Sequence, residues 1–397
     1  MTLNETELFE TSAEFAALLD AGDALRPYRK RFHIPLDEAG REVVYFTGNS
    51  LGLQPKTARE YIDQELDDWA RLGVEGHLHA KHPWLPYHEF VTEPMARVVG
   101  ALPIETVVMN SLTVNLHLLM VSFYRPTPER YKIIIEKGAF PSDQYAVESQ
   151  ILFHETYNKL KFVEPALIEL APREGETTLR AEDIIETIDR EGDSVALILL
   201  GGVNYYTGQA FDMQAIAEAG HRKGCVVGFD CAHAAGNLAL KLHDWNVDFA
   251  AWCSYKETRF LMGPEFRPLP GAEGWQISNP PIFQLAALRA SLEIFDAAGM
   301  PALREKSEKL TGYLEFLIDR VDDERISVIT PRDPEQRGCQ LSMRVRNADK
   351  NLFDSITKNG IAVDWREPDV IRVAPAPLYN SFADVFRFVT ILRDCLR

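Results

Sequence analysis

From about residue 130 to 255, short runs that are apolar at nearly every position alternate with stretches whose apolar residues recur at helical spacing. The runs are Tyr131 to Ile135 (YKIII), Ser194 to Leu200 (SVALILL), Cys225 to Phe229 (CVVGF) and Phe249 to Cys253 (FAAWC), and a helix is expected over Met213 to Lys223. A strand without polar alternation has to be covered on both faces, and helices between such strands return the chain for parallel pairing. The expected fold class is therefore α/β, with a large, doubly wound, mostly parallel sheet. Further on the period changes. Cys339, Leu341, Met343 and Val345 alternate with Gln340, Ser342 and Arg344, as on a sheet covered on one face. Phe382, Val385, Phe386, Val389 and Leu392 share a helical stripe. A smaller α+β domain is expected over 300–397, joined by an N-terminal segment 1–50, with the large domain spanning 51–299.

Two more helices are expected in the large domain. Thr57 to Leu72 sets Ala58, Tyr61, Ile62, Leu66 and Trp69 at i, i+3, i+4 spacing, which predicts an amphipathic helix. Leu112 to Tyr124 is apolar almost all round, which predicts a helix buried on every side, with Asn110 and Ser111 as suitable caps. No repeat with a solenoid-like period is visible.

Charge narrows the range of partners. With 42 Lys and Arg against 59 Asp and Glu, the 397 residues carry a formal charge of −17. That balance argues against a general nucleic-acid or anionic-membrane binder, because phosphate contacts need clustered cations. No run approaches the roughly 18 apolar residues that span a bilayer, and MTLNETELFETSAEF has neither the basic start nor the apolar stretch of a secretory signal. The five cysteines, Cys225, Cys231, Cys253, Cys339 and Cys395, are odd in number and form no C-x-x-C pair. Reduced thiols in a cytoplasmic protein are expected, with neither a disulfide framework nor a zinc site.

In an open α/β sheet, ligands sit beyond the carboxyl ends of the strands. Asp230 follows CVVGF, His233 lies three residues on, and Ser254, Tyr255 and Lys256 follow FAAWC. Singly, such an Asp reads as a cap and such a Lys as a surface charge. Together they match what pyridoxal phosphate requires: an acid that keeps the pyridine nitrogen protonated and a lysine that forms an imine with the aldehyde. The buried helix opening at Asn110–Thr113 offers free backbone N–H groups to a phosphate. Phe140, in GAFPSD after the first strand, offers a flat group for the ring.

The segments FTGNSLGLQP, NSLTVNLHLLM, AFPSDQYA, YYTGQ, GFDCAHAAGN, DWNVDFAAWCSYK, ISNPP and IRVAPAPLYNSF, running from residue 46 to 382, resemble those of the kynureninase family. The resemblance implies a fold type I pyridoxal phosphate enzyme, a homodimer with active sites between subunits. It implies hydrolysis of the small-molecule substrate L-kynurenine, or its 3-hydroxy form, to anthranilate or 3-hydroxyanthranilate and L-alanine in tryptophan catabolism. Carried over residue by residue, Leu112 and Thr113 would contact the phosphate, Phe140 would stack on the ring, and Ser142 and Asp143 would lie beside it. Asp230 would pair with the ring nitrogen and His233 would support the cofactor. Tyr255 would bind the phosphate and relay a proton, while Lys256 would form the imine and remove the Cα proton. Asn279 would reach cofactor or substrate across the dimer, and Arg372 would hold the substrate carboxylate through a fork that lysine cannot reproduce. His77, in GHLHAKHPW, resembles the family's substrate-side histidine, although Ala80 stands where the family has glycine and His79, His82 and His88 lie close by.

After Lys256 the resemblance breaks. The family continues with a glycine-rich loop and a segment carrying a phosphate-contacting tryptophan, whereas here Glu257, Thr258, Arg259 and Phe260 follow at once. The alternatives are another fold type I enzyme, such as a desulfurase or an aminotransferase, and a catalytically silent ligand-binding relative. A desulfurase would need a mobile cysteine, and Cys339 sits in an expected strand.

Overall fold

The structure, a computed structural model, describes residues 9–160, 162–252, 271–272, 280–348 and 350–397. Among them are eleven strands: β1 (Val44–Tyr45), β2 (Lys132–Glu136), β3 (Leu167–Leu170), β4 (Val195–Gly201), β5 (Val226–Asp230), β6 (Phe249–Ala251), β7 (Ile326–Val328), β8 (Leu341–Val345), β9 (Ile361–Ala362), β10 (Asp364–Arg366) and β11 (Val370–Val373). The chain divides into two compact units, one of Ala58–Tyr205 with Phe211–Asp296, the other of Met1–Thr57, Tyr206–Ala210 and Ala297–Arg397.

The first unit carries a five-stranded sheet in the order β3-β2-β4-β5-β6, every pair parallel. Ile133 and Ile134 of β2 and Val195, Leu197 and Ile198 of β4 are fully buried. Each such side chain contributes roughly 1.5–3 kcal/mol by leaving water. Helices Pro141–Thr156, Ala181–Glu191 and Met213–Arg222 return the chain between successive strands. From β2 the chain passes outward to β3 and then back across to β4, so the direction of winding reverses between β2 and β4. At such a reversal the loops leaving the two strands diverge, and a crevice opens at their carboxyl ends.

Two helices of this unit differ from expectation. In Leu112–Phe123 only Leu116 and Met120 are fully covered, while Val114 and Val121 stand 39% and 54% exposed. One face packs on the sheet through Leu116, Met120, Leu119 and Phe123; the other has no cover among the described residues. In Ala58–Leu72 the buried positions include Glu65 and Asp68, whereas Leu66 and Trp69 of the apolar stripe are exposed. The inward acids are satisfied there: Asp68 receives the Lys81 amide at 2.9 Å and Arg71, and Glu65 collects several side-chain donors described below.

The second unit holds an antiparallel sheet in the order β10-β11-β8-β7, with β1 paired in parallel with β9. Its core includes Leu341, Met343, Val345, Ile371 and Val373, with Phe382, Val385, Phe388 and Leu392 of the C-terminal helix Phe382–Cys395. Ser381 caps that helix through a reciprocal bond pair with Asp384.

Candidate active site

The carboxyl ends of the strands beside the reversal carry acids. β2 ends on Glu136, the loop through Gly138 leads to Phe140 and the helix Pro141–Thr156, and Asp143 lies in that helix's first turn. β5, next to β4, ends on Asp230. All three carboxyls are buried. Glu136 accepts the Gly201 amide through both oxygens, at 3.1 and 3.2 Å, and a Cβ on residue 201 would sit 2.9 Å from Oε1, so glycine is what lets the acid lie across the end of β4. Asp230 accepts the Ala232 amide at 2.7 Å, and its carbonyl accepts Gly202 N–H at 2.7 Å.

Burial dominates the electrostatics of this trio. It raises the Glu136 carboxyl to about 7, with the nearby Asp230 charge adding to the rise. It raises Asp143 to about 9, helped by the charge of Asp230 and by a hydrogen bond between the two side chains. Two carboxyl groups can bond in this way only by sharing a proton. Asp230 is also raised by burial, against the lowering effect of its bonds from Asp143 and the Ala232 amide. Among the described residues no cationic side chain partners any of the three. A buried carboxylate without a cation is costly, and a protonated pyridine nitrogen is a group that meets the need.

The Asn110–Thr113 region has the form of an anion cradle. Ser111 takes N-cap geometry, yet its side chain makes no capping bond, so the first-turn amides of Leu112, Thr113 and Val114 have no side-chain cap. Asn110 adopts a left-handed φ of 46° immediately before, and its buried Nδ2 has no hydrogen-bond partner among the described residues. The donor chemistry of this turn and the acids at the strand ends both fit pyridoxal phosphate.

Of the other expected residues, Phe140 caps the Pro141–Thr156 helix, 40% exposed, with its ring edge-on to Tyr205 at 5.3 Å. Ser142 Oγ bonds Asp143 Oδ1 at 3.2 Å. His233 lies in the turn after β5, its carbonyl accepting Asn237 Nδ2 at 3.0 Å. His77 is half-buried, its ring edge-on to Trp84 at 5.6 Å, and its Nδ1 has no hydrogen-bond partner among the described residues. Tyr255, Lys256 and Asn279 lie outside the described residues.

In the second unit Arg372 is 1% exposed on β11, an inner strand of the antiparallel sheet. Its Nε and Nη2 bond the two oxygens of its cross-strand neighbour Asp364, at 3.1 and 2.8 Å. Cys339 is buried, with its thiol pushed up to about 12 by burial, the opposite of an activated nucleophile.

Sequence reasoning missed Glu136, Glu65 and Asp364. The signal for Glu136 was present, since it stands at a strand's carboxyl end just as Asp230 does. Glu65 sits in a helix rich in acids, where a solvated face is the ordinary reading.

Comparisons with known proteins agree with this chemistry. Residues 52–265 match the aminotransferase class-V family and residues 303–392 the kynureninase C-terminal domain. The chain is 60% identical to a kynureninase of Myxococcus xanthus, covering 98% of this chain and 99% of that protein. It is 57% identical to one from Koribacter versatilis (96% and 97% covered) and 45% identical to one from Nematostella vectensis (97% and 94%). The Myxococcus match runs over 425 positions, while 98% of 397 residues is about 389, so about 36 positions lack a counterpart here. Among solved structures, an apo cysteine desulfurase from Thermococcus onnurineus superposes with a TM-score of 0.74 at 16% identity, covering 93% of this chain and 97% of that one. A mutant of the C-S lyase C-DES, with glycine covalently linked to its pyridoxal phosphate cofactor, gives 0.74 at 15% identity, covering 89% of this chain and 96% of that one. At that identity the likeness concerns the fold, which is that of fold type I pyridoxal phosphate enzymes.

Proposed function

The chain belongs to the kynureninase family, and from that premise we propose how its residues divide the work of hydrolysing L-kynurenine to anthranilate and L-alanine. The enzyme uses pyridoxal phosphate, which when bound supplies an electron-withdrawing ring that accepts the pair left at Cα. Asp230 holds the proton on the ring nitrogen, and the observation that carries this reading is the buried acid group of Glu136, Asp143 and Asp230 without a cationic partner among the described residues. Leu112 and Thr113 give their amides to the phosphate, joined by the Tyr255 hydroxyl. Phe140 covers the ring, with Ser142, Asp143 and His233 beside it.

Lys256 would hold the cofactor aldehyde through its amine, and the same amine would take up the Cα proton. Tyr255 relays a proton during cleavage of the Cβ–Cγ bond, after water has added to the γ-carbonyl. Arg372, already oriented by Asp364, binds the α-carboxylate through its planar fork. His77 and Asn279 meet the aryl end, and we assign to them the discrimination between L-kynurenine and its 3-hydroxy form.

The exposed apolar side chains of helices Leu112–Phe123 and Pro141–Thr156, namely Val114, Val121, Tyr145, Leu152 and Phe153, support a homodimer. Sedimentation of the purified protein at twice the chain mass is expected, and a monomer would overturn this. No helix among the described residues is long and apolar enough to cross a membrane. Among the described residues Cys225, Cys231, Cys339 and Cys395 form no disulfide, which suits the cytoplasm we propose as its location. The experiment for the activity is direct: with pyridoxal phosphate the protein should show the visible absorbance of the lysine imine and release fluorescent anthranilate from L-kynurenine. Lys256→Ala should lose both, and retained turnover would contradict the lysine's role.

A further inference from the structure

Glu65 is fully buried in the helix Ala58–Leu72, facing the segment that carries His77. Its Oε2 accepts Trp84 Nε1–H at 3.1 Å and its Oε1 accepts the Tyr87 hydroxyl at 2.9 Å, while His82 Nδ1 lies 3.3 Å from Oε1. Arg289 closes the group from the opposite side, donating from Nη1 to the Tyr87 oxygen at 3.1 Å and lying over the Tyr61 ring at 4.5 Å. A buried carboxylate fixed by two neutral donors has one low-energy arrangement, because losing either donor leaves an unpaired charge out of water.

Trp84 links this anchor to His77. Its indole sits edge-on to the imidazole at 5.6 Å, with an interplanar angle of 85°. The backbone closes the same loop twice, through Trp84 N–H to the Gly76 carbonyl at 3.3 Å and Leu85 N–H to the His77 carbonyl at 3.2 Å. Gly76 is the residue that admits the indole, since a Cβ there would overlap the Trp84 ring. The imidazole is therefore held between a fixed backbone and a fixed ring, with a buried Nδ1 lacking a partner among the described residues.

We propose that Glu65, acting through Trp84, is a positioning residue that fixes the His77 ring so that its Nδ1 receives the ortho-amino N–H of the aryl ketone substrate. This inference rests on the reading of His77 as the substrate-side histidine and adds to it the device that orients the ring. An aryl amine donates and imidazole in its Nε2–H tautomer accepts at Nδ1, so the pairing needs no change in protonation.

The probe is a pair of substrates, L-kynurenine and the same amino acid with an unsubstituted phenyl ring, 2-amino-4-oxo-4-phenylbutanoate. The readout is the ratio of their kcat/KM values in Glu65→Gln, Trp84→Phe and His77→Phe holoenzymes. Glu65→Gln and Trp84→Phe are each expected to lower the preference for the amino substrate by roughly three- to tenfold, the worth of one neutral hydrogen bond, with the loss in KM rather than kcat. The unsubstituted substrate should be turned over within about twofold of the wild type, which a merely loosened fold would not allow. A fall in both substrates together, or an unchanged ratio in both variants while His77→Phe abolishes the preference, would overturn the positioning role and leave His77's role standing. An unchanged ratio in His77→Phe would overturn the parent reading as well.

Discussion

The two units bury charge in opposite ways. At the end of the parallel sheet, Glu136, Asp143 and Asp230 are shut away with backbone amides, a hydroxyl and one another, and burial drives all three toward the protonated form. On the antiparallel sheet, Arg372 is buried still more completely, yet its charge is matched by the bidentate Asp364 across the strand pair. The first arrangement has no cationic partner among the described residues, which is what our proposal of a bound pyridinium accounts for. The second is complete in its pairing, and what it provides is a cation held in one orientation. Uncompensated burial thus points to the cofactor, and compensated burial to a positioned binding group.

Breaking the unfinished side should have the largest effect. Asp230→Asn removes the charge that keeps the ring nitrogen protonated, and kcat/KM for L-kynurenine is expected to fall roughly a hundred- to thousandfold, as for other removals of a preorganised electrostatic partner. A loss below tenfold in steady-state assays would count against this role. On the matched side, Arg372→Lys keeps the charge but loses the fork, and KM should rise roughly tenfold with kcat less changed. If kcat alone fell, carboxylate binding would be the wrong role for Arg372.

The smallest effect separates the two regions by pH. Asp143 and Glu136 titrate higher in the fold than the roughly 4 of an unfolded carboxyl, so the folded protein holds protons that the unfolded chain releases. Their contribution to stability is full below about pH 4 and is lost as pH rises toward 9. The melting midpoint of cofactor-free protein should therefore decline between pH 5 and 9, and Asp143→Asn should flatten that decline. Asp364→Asn, in the matched region, should instead lower the midpoint because it leaves the buried Arg372 charge without its bidentate partner. An equal slope in wild type and Asp143→Asn would show that Asp143 and Asp230 share no buried proton.

Much of this was legible in the chain because two strong regularities coincide. The unbroken apolar runs became β2, β4, β5 and β6, and the alternating run became β8, although Gln340 and Ser342 on its polar face are buried as well, so the expectation of a sheet covered on one face does not hold there. β3 was not foreseen, for LIEL carries Glu169 and is only half-covered at the sheet edge. Asp230 was found by its place after a strand, but Glu65 and Asp364 acquire meaning only from partners far along the chain or across a sheet, Trp84 and Tyr87 for one and Arg372 for the other. The apolar stripe of Ala58–Leu72 misled for a related reason. Its acids found buried donors, so Leu66 and Trp69 were left facing outward.

The most direct test is the nitrogen-15 shift of ring-labelled pyridoxal phosphate bound to the enzyme at pH 8. A protonated ring nitrogen in the wild type and an unprotonated one in Asp230→Asn is the predicted result. An unprotonated nitrogen in the wild type would contradict the claim that these buried acids exist to hold it charged.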